Sequence, residues 1–205
     1  MTLPPPTTRS SSASRAVRWS VFGLGTLIAL AVGCSRGGTA PEEFDPITSI
    51  PAEMIMRSPA FPSGAAIPSE FSCDGADHSP PVEWGTPPLG TEALVLIMDD
   101  PDAPGGIFTH WTLYNLPAST RQLGAGTPGD PEIAGGARQG ANDFGSVGYR
   151  GPCPPRGETH EYRLLLFALN APLALEPSAP PIDVIRSLRG SVIGRGEYFG
   201  IYARQ

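Results

Sequence analysis

The sequence predicts a mainly β domain with one short helix near its C-terminus. The chain of 205 residues contains 25 glycines and 25 prolines, a composition that opposes a helical bundle and favours short strands joined by rigid loops. Residues 94–98, 108–116 and 161–169 are apolar or alternating runs with the length of strands. With 40% hydrophobic residues, the chain can form a packed core. We therefore expect one globular domain after an N-terminal segment of different composition.

The N-terminal segment has the pattern of a signal peptide. Arg9, Arg15 and Arg18 form a positive region without acidic residues, and residues 17–32 form an apolar run. The tetrapeptide at residues 31–34, AVGC, resembles a bacterial lipobox. An uncleaved transmembrane anchor is the alternative, but the run is short for a spanning helix, which needs about 20 residues.

We therefore expect residues 1–33 to be removed and Cys34 to carry the lipid, with palmitate among its acyl groups. Residues 34–53 are rich in Gly, Pro, Thr and Ser, which predicts a flexible tether. Residues 54–205 then form the globular domain. The expected product is an exported lipoprotein, held at a membrane of the cell envelope on its periplasmic or outer-surface side.

The charge distribution argues against nucleic acid as a partner. The chain has a formal net charge of −6 and a pI near 5.0. It has no basic stripe and no aromatic RNA-binding motif. The tether of a cleaved lipoprotein would hold an acidic domain near the membrane.

The domain opens with an apolar segment, residues 54–61, which we interpret as a first strand. The best candidate helix lies near the other end, where Ile182, Ile185, Leu188 and Val192 recur at steps of three and four residues after a Pro-Pro pair. Residues 198–202 alternate as a closing strand.

Carboxylates and a histidine lie between two of the predicted strands. Residues 94–98 are typical of a strand buried on both faces, and the Asp-, Pro- and Gly-rich stretch after them forces a turn. In the strand that follows, a period of two places His110 and Trp111 on opposite faces. Asp100, Asp102 and His110 can therefore converge at one end of the strand pair. A solvated turn is the alternative, because any turn uses these residue types.

A second segment repeats this arrangement. Residues 148–170 contain a Gly- and Pro-rich loop, then His160, then a strand that places Tyr162 and Arg163 on opposite faces. The prolines of this loop fix their own φ angles, so they can form a wall that needs little ordering when a ligand binds.

Five stretches of the sequence carry a more specific signal. They are FSCDGADHSPPVEW (71–84), DDPDAP (99–104), THWTLYNLP (109–117), QGANDFGSVGYRGPCPPRGETHEY (139–162) and GEYFGIYAR (196–204). In this order they resemble the phosphatidylethanolamine-binding protein family, also called Raf-kinase-inhibitor-like proteins, and its bacterial and archaeal branch in particular. The resemblance covers roughly residue 54 to the end. It implies a β-sandwich of Greek-key type with a short C-terminal helix and a closing strand.

The resemblance also implies a pocket at one end of the sandwich that accepts phosphate-like anions and phospholipid head groups. Asp100 would accept a hydrogen bond from a histidine and orient the ring, so that both histidines offer protons to the ligand. Both histidines should gain charge between pH 8 and 6. The ligand-binding residues implied by the family's motifs are Asp100, Asp102, Phe108, His110, Gly151, Pro152, Pro154, His160 and Tyr162.

Three positions depart from the family's pattern, and one of them is Ser191, which stands where a histidine is common after the glycine of the C-terminal helix. Asp77 stands where the bacterial branch usually has asparagine, and Glu161 where the family usually has arginine, which removes a positive charge near the pocket. We expect neither a cofactor nor a metal ion, since the sequence has no CxxC or HxxxH spacing.

The chain has three cysteines. If Cys34 carries lipid, Cys73 and Cys153 remain as a pair in an oxidising compartment. Both lie in loops that the resemblance places near the pocket, so we expect a disulfide bond. Two unpaired buried thiols are the alternative.

The leading functional hypothesis is a binding or regulatory module and not an enzyme. It would bind a small anion or a phospholipid head group, contact the membrane through its lipid, and inhibit a partner enzyme; a protein partner or a homodimer is compatible with this role. One alternative is a hydrolase with a His/Asp pair, although no GxSxG elbow is present and Ser146 is a poor substitute for a nucleophile. Another is an inhibitor that acts through a surface loop, residues 118–137, with a vestigial pocket.

Overall fold

The computed structural model describes residues 49–205. The predicted signal peptide, the lipid attachment at Cys34 and most of the predicted tether lie outside the described residues. Within them the chain forms nine strands, one α-helix and two short 3-10 helices, which confirms the mainly β class. The bounds are β1 Ala52–Met54, β2 Met56–Arg57, β3 Val82–Trp84, β4 Ala93–Asp100, β5 Phe108–Pro117, β6 Gln122–Leu123, β7 Arg138–Gln139, β8 Thr159–Leu169, α1 Pro181–Ser187 and β9 Val192–Ala203, with the 3-10 helices at Ser69–Phe71 and Ala134–Gly136.

The strands form two sheets that share a hydrophobic core. The larger sheet has the order β1-β9-β8-β4-β5-β7, and the smaller one has the order β2-β3-β6. Trp84 of the smaller sheet belongs to the same buried cluster as Leu96, Trp111 and Leu166 of the larger one. The two sheets therefore pack face to face, while the Greek-key connectivity stays a prediction.

The other face of the larger sheet carries a second hydrophobic cluster. Val95 and Phe167 of the sheet pack there with Val184 of α1 and with Leu188. Consequently β4 is covered on both sides, and all eight of its residues are buried. This confirms the prediction of a strand with two buried faces.

The C-terminal helix is shorter than its apolar pattern indicates. It ends at Ser187, and Gly190 follows with a φ of +79°, a left-handed conformation that glycine adopts without steric cost. Val192, which the periodicity places on the helix, instead begins β9. Within residues 49–205, no helix has both the length and the apolar character needed to cross a bilayer.

The predicted first strand divides into two. Met54 ends β1 in the larger sheet, and Met56 begins β2 in the smaller one. β1 starts at Ala52, inside the segment predicted to be a tether. Ala52 is exposed and pairs with β9 through its backbone, so its side chain carries no apolar signal for a strand.

Candidate functional site

A β-bulge directs His110 toward the core between the sheets. Met98 pairs with Trp111 and Asp99 pairs with Thr109, so His110 is an extra residue on β5. A bulge of this kind breaks the alternation of a strand and turns a side chain to a new direction. The His110 ring lies 5.2 Å from the ring of Tyr162, which belongs to the core cluster that contains Trp111. The predicted placement of His110 opposite Trp111 is therefore wrong.

His160 is held between two carboxylates. Its Nδ1 lies 2.8 Å from Oδ2 of Asp100, and its Nε2 lies 3.1 Å from Oε2 of Glu158. Burial of the ring lowers the pKa of His160, but the hydrogen bonds and charges of Asp100 and Glu158 outweigh burial and raise that pKa above its ordinary value. Asp100 has the orienting role that the sequence predicts. The Glu158 carboxylate forms a hydrogen bond with the second ring nitrogen, Nε2.

His110 has a different environment. Its Nδ1 lies 2.8 Å from the backbone oxygen of Arg150. A carbonyl oxygen can only accept, so Nδ1 of the neutral ring carries the proton and Nε2 is the acceptor nitrogen. Burial lowers the pKa of His110 more than nearby carbonyl groups and Asp100 raise it. Relative to a free imidazole, the site therefore favours the neutral form of His110 and the cationic form of His160.

Tyr162 lies between the two histidines. Its ring centroid is 5.2 Å from that of His110 and 6.4 Å from that of His160. The residue is 1% exposed, and its hydroxyl has no hydrogen-bond partner among the described residues. Burial and the charge of Asp100 raise the pKa of Tyr162 far above its ordinary value. The hydroxyl is consequently neutral, and it makes no well-formed hydrogen bond to a described residue although the Asp100 carboxylate and the backbone of Cys153 lie nearby.

Aromatic rings form one wall of the site. Phe108 contacts His110 with a centroid distance of 5.4 Å, and Phe144 contacts Phe108 at 4.8 Å and His110 at 5.2 Å. The guanidinium of Arg150 lies 5.6 Å from the centre of the Phe144 ring, which favours a cation–π contact. Arg150 is half exposed and also pairs with Asp77 at 3.0 Å, so its charge is compensated by a carboxylate beside the aromatic wall.

The Gly-Pro loop approaches the chain near Asp77. The backbone N–H of Gly151 donates to Oδ1 of Asp77 at 2.7 Å. A Cβ atom on Gly151 would lie 2.1 Å from the backbone oxygen of Phe71, so this position requires glycine. Pro152 accepts from the backbone N–H of Cys73 at 3.1 Å, and Pro154 is buried two residues further along. Asp77 thus positions the loop that holds the acceptor of His110.

The predicted disulfide between Cys73 and Cys153 is present, with 5.4 Å between the Cα atoms. It joins the Gly-Pro loop to the turn that precedes Asp77. The bond therefore holds one wall of the site in place.

Asp102 supports the site from its edge. Its backbone N–H donates to Oδ1 of Asp100 at 2.9 Å, and its Oδ2 accepts from the backbone N–H of Glu161 at 2.9 Å. Strand alternation on β8 places the side chain of Glu161 on the opposite face from His160 and Tyr162. The Glu161 side chain, which departs from the family's pattern, therefore points away from the pocket. The Glu158 carboxylate lies at the pocket and is bonded to His160.

The site is closed to solvent apart from its rim. His110, His160, Asp100 and Tyr162 are all buried. Glu158 lies at the rim, with half of its side chain exposed. The sequence did not indicate Glu158 or Phe144, because each lies in a polar or Gly-rich loop where no periodicity marks an inward-facing residue.

No group of three or more His, Cys, Asp or Glu side chains within residues 49–205 is arranged to hold a metal ion. Ser146, considered from sequence as a nucleophile, exchanges hydrogen bonds with the Asn142 side chain at 3.0 and 3.2 Å. Its hydroxyl is thus occupied by Asn142 and has no histidine to activate it.

Solved structures resemble this fold. A Chlamydia trachomatis protein described as a homologue of phosphatidylethanolamine-binding protein has 34% sequence identity and a TM-score of 0.67, and the match covers 74% of this chain and 98% of that one. Escherichia coli YbcL, described as a member of the mammalian family, has 30% identity and a TM-score of 0.70, over 75% of this chain and all of that one.

Proteins with similar sequences extend the comparison made with solved structures. A UPF0098 protein of Aquifex aeolicus is 46% identical over 155 residues, which cover 75% of this chain and 90% of the relative. A Mycobacterium tuberculosis protein named as a lipoprotein, LppC, is 35% identical over 193 residues, 88% of this chain and 92% of the relative. Neither name states a catalytic activity. The family model described as phosphatidylethanolamine-binding protein matches residues 57–203, and the chain therefore belongs to the phosphatidylethanolamine-binding protein family.

Proposed function

We propose that this protein is an exported, lipid-anchored binding and regulatory module whose histidine site binds a small anion, either phosphate or a phospholipid head group. The observation that carries the proposal is the buried Tyr162 hydroxyl: its ring contacts both histidines, and the hydroxyl lies near Asp100 and the backbone of Cys153 without making a well-formed hydrogen bond to any described residue. Leaving such a group unsatisfied costs about 1–3 kcal/mol. A bound ligand oxygen would complete it.

The ligand would enter by displacing Glu158. Nε2–H of cationic His160, now bonded to Glu158, would then donate to a ligand oxygen, and the Tyr162 hydroxyl would donate to the same anionic group. Neutral His110 offers an acceptor at Nε2, which suits a singly protonated phosphate oxygen.

The carboxylates around the site bear on the choice of ligand. Asp100, Asp102 and Glu158 oppose a bare dianion. A phosphoethanolamine head group suits this charge distribution better, because its phosphate can accept from Tyr162 and His160 while its ammonium lies near the displaced Glu158. We therefore expect O-phosphoethanolamine to bind more tightly than inorganic phosphate.

The Tyr162→Phe variant should separate binding from stability. It removes an unsatisfied donor, so the free energy of unfolding should stay unchanged or increase. Affinity for O-phosphoethanolamine should fall about tenfold to a hundredfold, as expected for a lost hydrogen bond to a charged group, roughly 1.5–3 kcal/mol. Titration calorimetry and urea unfolding of the same samples measure the two effects.

Tyr114→Phe is the matched control, because the Tyr114 hydroxyl donates to the backbone oxygen of Glu176 on the other face of the sheet. This variant should lose stability and keep its affinity. Absence of any binding by the wild-type protein, or equal affinity in Tyr162→Phe, would contradict the proposal.

The two histidines should titrate on opposite sides of their ordinary pKa of about 6.5. His160 should titrate above it, because Asp100 and Glu158 outweigh burial, and His110 below it, because burial dominates. The expectation that both gain charge between pH 8 and 6 therefore holds only for His160. Affinity should rise as pH falls from 8 to about 6.5 and then level off. NMR titration of the ring C–H signals measures both values.

The Glu158→Gln variant tests whether Glu158 is a cause of the raised pKa of His160. Loss of one carboxylate should move the His160 midpoint down toward 6.5 and leave that of His110 in place. Since the folded-state pKa of His160 is raised, its ion pairs stabilise the fold fully below about pH 6.5, and that contribution is lost as pH rises through the folded-state value. Coincident titration of the two rings would contradict these assignments.

The lipid anchor is proposed at Cys34. Its support is the lipobox-like tetrapeptide at residues 31–34 and the relative named as a lipoprotein. In a cell that exports the protein, Cys34→Ala should block both acylation and cleavage, so the unprocessed chain accumulates. Mass spectrometry of the N-terminal peptide is the measurement; normal processing of Cys34→Ala would exclude this site.

A further inference from the structure

A cavity lies on the opposite face of the larger sheet from the histidine site. Its volume is about 420 Å³, within the range of small-molecule sites, roughly 300–1,000 Å³. Most of its lining is apolar, and it lies between the sheet and α1. Its walls include Ile97, Leu165, Phe167, Ile182, Ile185 and Leu188.

The cavity lies where the short helix α1 meets the larger sheet. A helix of seven residues spans about 10 Å, whereas β4 with eight residues spans about 27 Å. The helix packs over Val95 and Phe167. Asp99 and Thr109 line the other end of the cavity, and both are buried.

Two exposed apolar side chains form the lip of the cavity. Ile107 is 57% exposed and Ile182 is 50% exposed, and both line the opening. Burying them would remove apolar area from water, which favours a ligand with an apolar body.

The polar end of the cavity carries negative charge. Asp99 and Asp143 line it. Arg163 binds Asp99 through two hydrogen bonds of 2.9 and 2.8 Å, so this pair is neutral. Asp143 accepts from the backbone N–H of Thr109 through Oδ2 and keeps further acceptor capacity at its exposed carboxylate. One uncompensated carboxylate therefore faces an otherwise apolar space.

We propose that this cavity binds a small amphiphilic cation, with its apolar body between Ile107 and Ile182 and its protonated amine on Asp143. The histidine site offers donors to an anion, whereas this cavity offers an acceptor to a cation. The two sites use adjacent residues, Asp99 and Asp100 on β4, which alternation directs to opposite faces of the sheet. They thus lie on opposite faces of the sheet with opposite ligand preference, although the charge of Asp143 also acts on His110.

Three probes of similar shape test the proposal on the full domain: 2-phenylethylamine, 2-phenylethanol and 3-phenylpropionate. Methyl NMR of isoleucine should show shifts at Ile107, Ile182 and Ile185 on addition of the amine. The amine should bind about tenfold more tightly than the carboxylate, as expected for a charge-assisted hydrogen bond. The alcohol should lie between them.

Two variants locate the site. Asp143→Asn keeps an acceptor for Thr109 and should remove the preference for the amine, and Ile182→Gln should weaken all three probes severalfold. The matched control is Ile55→Gln, at a position 79% exposed and outside the cavity, which should change nothing. Three results would overturn the proposal: equal affinity for amine and carboxylate, amine shifts confined to other methyl groups, or concentration-dependent shifts without ligand, which would indicate that a second copy covers this face.

Discussion

Replacing both Cys73 and Cys153 with alanine should lower the free energy of unfolding by about 4 kcal/mol. The bond joins residues 80 positions apart, and a cross-link over so long a loop restricts the unfolded chain strongly in the chain-entropy model. The smaller part of the effect should come from the folded state, where the bond joins two loops that also share the Cys73–Pro152 hydrogen bond. Urea unfolding of oxidised protein measures the change.

The same variant should weaken ligand binding. The Gly-Pro loop that Cys153 anchors adjoins Arg150, whose backbone oxygen accepts from His110, so release of the loop should loosen that ring. Reduced wild-type protein should match the variant, and the variant should not respond to reductant. A loss below about 1 kcal/mol, or a variant that still responds, would show that the bond does not hold this wall.

Arg163→Met should destabilise the fold by about 3–5 kcal/mol, the usual cost of leaving a buried charge without its partner. Asp99 is 2% exposed, and Arg163 satisfies both of its carboxylate oxygens. Methionine retains much of the length of arginine, so lost packing contributes little. Urea unfolding at pH 7 measures the effect.

The loss should shrink in acid. Burial already raises the pKa of Asp99 although Arg163 opposes it, so removing Arg163 should raise that pKa further. A carboxyl with a raised folded-state pKa destabilises the fold fully above that value, and the penalty declines as pH falls through it. Unfolding at pH 5 should therefore recover part of the stability. The double variant Asp99→Asn, Arg163→Met should recover most of it at pH 7. Equal losses at both pH values would show that packing, not charge, is responsible.

Much of the fold could be predicted from local patterns. The strand over residues 94–98, the alternation of Tyr162 and Arg163 on β8, and a helix after the Pro-Pro pair all appear in the structure. The order of motifs along the chain also indicated the family, which the match over residues 57–203 confirms. These features depend on neighbouring residues, so the sequence displays them directly.

The sequence predicted which residues form the candidate site but did not predict how they are arranged. Asp100, His160 and Tyr162 come together as the family resemblance implied. The bulge at His110 could not be foreseen, because an extra residue in a strand is defined by the register of the partner strand and leaves the residue pattern unchanged. For the same reason, alternation predicted the wrong face for this histidine.

By itself the sequence determined the β class and the residue types of the pocket, because composition, periodicity and motifs are local properties of the chain. The bond between Cys73 and Cys153 depended on the tertiary structure, which brings their Cα atoms to 5.4 Å across 80 positions of sequence. Only the tertiary structure decided that the Glu158 carboxylate bonds to Nε2 of His160 and that the Phe144 ring packs against His110. It also decided that the Tyr162 hydroxyl is buried without a well-formed hydrogen bond to any described residue. Each of these facts joins segments or opposing strands whose approach depends on register, loop path and burial. Those contacts also set opposite pKa shifts for two histidines that look equivalent in the sequence, because a ring's charge responds to its surroundings and not to its position in a motif.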